Sequence, residues 1–174
     1  MNTTRFFIVL VGFVAAGALH AADGATALEQ VQVIFDHPEA YTDVKDSFSP
    51  TERGTANILA QLKSFIVSRA SERLPKGYSL SLTFTDIDLA GDFEPWRGPD
   101  FDSIRIVKSI YPPAYHFSYV FKDAAGKVVK EGKEDVVDMS FDMRLTLDTS
   151  DSLRYEKDFL NDWISGKIRE ISKT

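Results

Sequence analysis

Residues Tyr78 to Leu89 read YSLSLTFTDIDL. Leu80, Leu82 and Phe84 fall on one side of an extended chain, and Ser79, Ser81 and Thr83 on the other. That two-residue period is the mark of a strand with one face buried. The period then slips. Ile87 and Leu89 are out of phase with Phe84, which predicts a bulge or a change of buried face near Asp86. Further along, Tyr115, Phe117, Tyr119 and Phe121 alternate through a strongly aromatic strand. Asp123 to Gly126 supplies a hairpin turn, and Lys127 to about Val137 returns as the partner strand.

Upstream, Val31, Val33 and Phe35 alternate within Leu28 to Phe35, another strand. Ile104 to Val107 reads as a short strand. Phe141, Met143, Leu145 and Leu147 alternate within Asp138 to Ser150 and predict a further one. Two stretches carry the helical period instead. Ser49, Pro50, Thr51 and Glu52 spell a capping box with proline at the first helical position. Behind it, Ile58, Leu59, Leu62, Phe65, Ile66 and Ala70 line one face of a helix from about Pro50 to Arg73. Pro75 and Gly77 stop it. A second helix begins near Asp151 or Ser152 and runs to about Ile171, with Phe159, Leu160, Trp163, Ile164, Ile168 and Ile171 on its apolar face. Strands joined by short turns pair antiparallel. The expected fold is therefore α+β, two-layered, a mainly antiparallel sheet with both amphipathic helices packed on one face.

The chain has 174 residues, 44% of them hydrophobic and 26% charged, as a globular domain should. Its formal net charge is −6. The first 21 residues hold one cation, Arg5, and no acid, so the remainder is one charge more negative. An acidic chain of this kind is not expected to bind nucleic acid or an anionic membrane through bulk charge. There is no cysteine, which excludes disulfides, thiol catalysis and thiolate zinc sites, as well as lipoprotein anchoring through a processed cysteine.

The first residues have the three parts of a secretory signal. Arg5 is the positive start. Phe6 to Ala16 (FFIVLVGFVAA) is apolar, and Ala16, Gly17, Ala18, Ala21 and Ala22 supply small residues for cleavage. The run is shorter than the roughly 20 residues a stable membrane span requires. The expectation is a signal peptide over 1–21 and a single domain over 22–174, periplasmic or secreted, with no membrane span once the leader is removed.

Four groups of residues are candidates for chemistry or binding. Asp86, Asp88 and Asp92, with Glu94 beside them, are the densest acidic cluster. They read as a hard-cation site, as an acid–base pair, or as turn aspartates bonding nearby amides. A calcium loop fails at Ala90 and Gly98, where oxygen ligands are required. Phe93, Trp96, Arg97 and Phe101 lie in a turn-rich segment, Gly91 to Asp102. They read either as a binding surface or as a plug over the core. His37 and His116 have no nucleophile motif or metal-ligand spacing around them. Lys122, Lys127, Lys130 and Lys133 gather at the hairpin and read as a solvated, edge-guarding set or a dock for an anionic partner. No catalytic residue and no cofactor emerges from these patterns.

Several stretches taken together resemble a known family. They are HPEAYTDV (His37 to Val44), TDIDLAGD (Thr85 to Asp92), SIRIV (Ser103 to Val107), Pro112 with Pro113, and LRYEKDFLNDW (Leu153 to Trp163). The chain, from about Leu28 to Ile168, resembles the bacterial exported proteins grouped as domain of unknown function 3016. Asp92 stands where that resemblance leads one to expect glutamate, and it keeps the charge. The resemblance implies an exported domain and supplies no catalytic residues. The leading expectation is a non-enzymatic binding or envelope assembly-accessory domain with an envelope protein as partner. Its rivals are a metal-dependent or acid–base hydrolase centred on Asp86, Asp88 and Asp92, and a structural or stress-related envelope protein.

Overall fold

The computed structural model describes residues 30–144 and 150–173. The strand read from Leu80, Leu82 and Phe84 is β2 (Ser79–Asp88), and the aromatic strand is β5 (Ala114–Lys122). They pair antiparallel, setting Leu80 against Phe121, Leu82 against Tyr119 and Phe84 against Phe117. Every one of these cross-strand pairs is apolar on the same face, which fixes the register. The phase slip is a bulge: the register shifts between Phe84 and Asp86, leaving Thr85 as the extra residue. Ile87 thereby returns to the buried face, 1% exposed, opposite Tyr115.

The hairpin continues into β6 (Val128–Val137), which pairs antiparallel with β5. On the other side of β2 lies β1 (Val31–Phe35), and this pairing is parallel. A helix separates β1 from β2, and such a crossover allows parallel strands where a short turn does not. The sheet order is β1-β2-β5-β6.

Helix α1 (Glu52–Arg73) starts later than the capping-box reading puts it. The N-cap is Thr51, not Ser49; its hydroxyl oxygen accepts the Gly54 amide at 2.9 Å. Asp46 reaches back to fix Thr51, accepting its amide at 3.0 Å and its hydroxyl at 2.9 Å. An acid five residues upstream thus does what Glu52 was expected to do. Leu59, Leu62, Ile66 and Ala70 of α1 and Phe159, Leu160, Ile164, Ile168 and Ile171 of α2 (Arg154–Ile171) join one core with the inner face of the sheet. Trp163 meets Phe117 and Tyr119 edge-on, with ring centroids 5.0 and 5.2 Å apart.

Two sequence expectations fail locally. Phe141–Met143 is a 3-10 turn, not a strand. Its phenylalanine is 1% exposed and packs edge-on against Tyr155, and that anchoring overrides the alternation. The remainder of that stretch, 145–149, lies outside the described residues, as do 1–29, which include Leu28 and the expected leader. Within the segment read as loop, Asp92–Phe93 forms β3, paired with β4 (Arg105–Ile106) as a separate two-stranded ribbon. Among the described residues, no helix is long and apolar enough to cross a membrane.

Candidate functional site

The buried charged side chains named among the described core are all acids: Asp43, Glu94, Asp138 and Glu156. Burying a carboxylate is expensive unless it is paired and hydrogen-bonded, so each needs an account. Three of them, Asp43, Glu94 and Glu156, gather where β2 ends, beside the β3–β4 ribbon and the first turn of α2.

Asp43 sits on a loop that joins the end of β2 like an extra strand. Its amide donates to the Ile87 carbonyl at 3.1 Å, and its carbonyl accepts from the Leu89 amide at 3.0 Å. Its carboxylate receives both arms of the Arg105 guanidinium, at 2.8 and 3.1 Å. Arg105 also donates to the carbonyls of Gly91 at 2.8 Å and Lys45 at 3.1 Å. A single arginine therefore ties three segments, a role that its rigid planar donor set suits. It lies 4.6 Å over the ring of Phe93. Gly91 has φ +82, and a Cβ there would come within 2.8 Å of the Ile106 carbonyl oxygen, so the turn into the ribbon admits only glycine.

Glu94, 1% exposed, is met by Arg97, Lys108 and the hydroxyl of Tyr111, the last at 3.0 Å. Lys108 first, then Tyr111 and Arg97, hold its carboxyl below the usual range.

Glu156 differs from both. It is also 1% exposed, and its Oε1 accepts the Ala90 amide at 2.8 Å, yet Oε2 has no hydrogen-bond partner. The phenol of Tyr115, equally buried, has none either. Burial raises the pKa of both groups, so Glu156 keeps its proton to higher pH than an ordinary glutamic acid. Glu156 lines a cavity of about 520 Å³ with Arg105, Arg154, Lys45, Phe93 and Leu89. An acid at a helix start reads as a favourable partner of the helix dipole. The sequence does carry a sharper signal: Leu153, Phe159, Leu160 and Trp163 lie three, three, four and seven positions away, so an acid stands within the apolar stripe.

The three candidate aspartates do not converge. Asp86 accepts the Thr42 amide at 2.6 Å and the Thr42 hydroxyl at 2.7 Å. Asp92 accepts the Phe93 amide at 2.7 Å. Asp92 bonds its neighbour as a turn aspartate does, whereas Asp86 ties β2 to the loop at Thr42, 44 residues away in sequence. Asp88 lies in a second cavity of about 390 Å³ with Asp43, Asp92, Lys45 and Tyr111. Burial, then the charges of Asp43 and Asp86, push its pKa up to about 6, so it can hold or release a proton near neutrality. Among the described residues, no group of three or more His, Cys, Asp or Glu side chains is arranged to hold a metal ion. His116 stands opposite Asp86 in the register, but its ring pairs with Asp135 at 3.2 Å. His37 is exposed beside Asp36 and Glu39. A larger cavity of about 840 Å³ lies at the far end of β2, lined by Gln32, Ser79, Ser81 and Lys122 among others, away from these carboxylates.

The aromatic segment divides. Phe93 is 4% exposed and serves as a plug under Arg105. Trp96 is 72% exposed. It occupies the middle of a 3-10 turn, Pro95–Arg97, whose last residue is held to Glu94 and lies 5.9 Å over the ring of Phe101.

A model of a protein family of unknown function, DUF3016, matches residues 29–166, well over half of the chain. The chain belongs to that family. No curated protein and no solved structure matches it. The stretches on which the resemblance rests meet in this DUF3016 domain at one place: Asp43 with Arg105, and Ala90 with Glu156.

Proposed function

We propose that this DUF3016 chain is exported, trimmed near Ala21, and acts in the bacterial envelope as a non-catalytic binding module whose contact residue is Trp96. The observation that carries the reading is the place of Trp96 on a turn whose last residue, Arg97, is held by buried Glu94. A turn that exposes an indole to solvent at 72% is fixed from beneath by a buried carboxylate with three partners. Exposed tryptophan on a rigid support is the kind of anchor that concentrates binding energy at protein interfaces. Phe93 belongs to the support, and Arg97 to the frame that holds the turn. The leader of Arg5 and Phe6 to Ala16 supports the compartment.

The test has two arms. Fractionation of cells expressing the full chain, with mass spectrometry of the product, should place it in the envelope with residue 22 or a near neighbour first. A cytosolic product that retains Met1 removes the compartment. A photo-crosslinking side chain placed at position 96 in living cells should give one discrete adduct, and the same group at exposed Lys63 should not. Equal, diffuse labelling at both sites removes the Trp96 contact.

A further inference from the structure

The outer edge of the sheet carries a feature independent of Trp96. β6 is the terminal strand, so one side of its backbone pairs with β5 and, among the described residues, no strand lies beyond it. It reads VVKEGKEDVV from Val128 to Val137. About Gly132 its four nearest charges mirror with opposite sign, Lys130 with Glu134 and Glu131 with Lys133.

Elementary geometry limits how two copies of such an edge can meet. Along an antiparallel ladder, residues bond alternately to one neighbour and the other. From Lys130 to Val137, beyond the bulge at Val129, the residues of β6 that face away from β5 therefore fall on every second position. Two copies related by a two-fold axis must set outward residue against outward residue, so the axis passes through a residue and never between two. An axis through Glu131 sets Glu131 against itself. An axis through Lys133 sets Lys133 against itself and Glu131 against Asp135. Like charges directly opposite are destabilising. An axis through Gly132 sets Glu131 against Lys133 and Lys130 against Glu134, each twice; the regular ladder ends beyond Lys130, where Val129 is an extra residue. That register sets all four charges nearest the axis against their opposites and leaves Asp135 beside Val129, whereas its neighbours on either side set like charges together.

The two faces of the strand agree. Glu131 and Lys133 are exposed. Lys130 and Glu134 lie on the helix side, where α2 already positions them: Lys130 pairs with Glu170, and Lys167 with Glu134 at 2.8 Å. The Gly132 register would join these pairs across the axis into a chain of alternating charges. At the axis itself, Tyr119 lies across Gly132, and a Cβ there would come within 2.8 Å of the tyrosine hydroxyl. The strand thus presents bare backbone where two chains approach closest.

We propose that this chain self-associates as a two-fold dimer through antiparallel β6–β6 pairing centred on Gly132, joining two four-stranded sheets into one continuous sheet. An edge guarded only against aggregation needs no such matching; repulsive or one-signed charge would serve it better.

Sedimentation velocity on protein purified after expression of the full-length chain, from micromolar to near-millimolar, reads the outcome. The unaltered protein should pass from monomer to dimer with concentration. Lys133→Glu sets a carboxylate opposite Glu131 at two places and should weaken the dimer about tenfold or more. Adding Glu131→Lys to that variant reverses both partners and should restore association. Both positions are solvent-facing, and circular dichroism verifies that each variant is folded. A monomer throughout the range overturns the proposal. So does unchanged association in Lys133→Glu, or a folded double variant that stays monomeric.

Discussion

The Glu156 carboxyl accepts the amide hydrogen of Ala90 across 2.8 Å, so one buried oxygen fastens the first turn of α2 to the end of β2. Asp151 frees it for that task. The Leu153 amide, which an acid at the third helical position would ordinarily reach back to, is taken by Asp151 at 2.9 Å, and Lys157 holds the same aspartate at 2.6 Å. The helix start is satisfied locally, and Glu156 turns inward.

Replacing Glu156 separates its acceptor from its proton. Glu156→Leu leaves the Ala90 amide buried and unpaired and should cost about 1–3 kcal/mol. Glu156→Gln keeps the acceptor. Burial raises the folded pKa above the ordinary 4.5, so the folded state binds more protons than the unfolded chain above that pH. The stability this group contributes is full below 4.5 and is lost as pH rises through the raised value. Urea melts across pH should show that slope in the native protein and a flatter profile in Glu156→Gln.

Asp88 gives a second handle on pH. Its folded pKa of about 6, against an ordinary 3.8, is set first by burial and then by Asp43 and Asp86. The sign is the same: stability is present below 3.8 and falls as pH rises toward 6. Carboxyl-detected NMR should place its midpoint near 6, and Asp43→Asn should lower it by removing a neighbouring charge. An unshifted Asp88 midpoint in the native protein would refute the assignment.

Arg105→Ala strips the two-armed partner from Asp43, which is only 6% exposed, leaving it Lys45 at 3.9 Å, and should destabilise the fold by about 3 kcal/mol. Arg105→Lys should recover only part of this. An ammonium cannot span both Asp43 oxygens and the Gly91 and Lys45 carbonyls together. Chemical denaturation of the two variants tests the order.

The two tryptophans should respond oppositely. Trp96→Ala removes an exposed side chain and should change stability by less than ~0.5 kcal/mol. Trp163→Ala opens the aromatic core and should cost about 3–5 kcal/mol. In a Trp163→Phe background, Glu94→Ala should lower the fluorescence anisotropy of Trp96, because the turn beneath it loses Arg97 and Lys108.

The two-layer plan was legible because Leu80, Leu82, Phe84 and the four aromatics of β5 keep a strict period, and because both helices carry an apolar stripe, that of α2 interrupted by Glu156. Even the Thr85 bulge announced itself through the displaced Ile87. The site was not legible in the same way. Phe93 and Trp96 sit three residues apart in one turn-rich segment, and composition gives no reason for one to be core and the other surface. That division comes from the β3–β4 ribbon and the ions beneath it. Asp43 and Arg105, 62 residues apart in sequence, look like ordinary surface charges until the fold brings them together. The strand expected from Phe141 and Met143 failed because alternation over a few residues cannot be distinguished from one anchored phenylalanine.

The parallel pairing of β1 has a kinetic consequence. Val31 must wait for Leu80, with the whole of α1 between them, whereas β5 and β6 are joined by a tight turn at Asp123–Lys127. Loop closure favours the near pair, so the C-terminal hairpin should form early and the N-terminal strand dock last. Pulse-labelled hydrogen exchange should find the amides of Phe117 and Tyr119 protected before those of Gln32 and Ile34, the β1 residues whose amides face β2. A chain that emerges from its N-terminus would then have its first strand waiting, unpartnered, until its last elements are made.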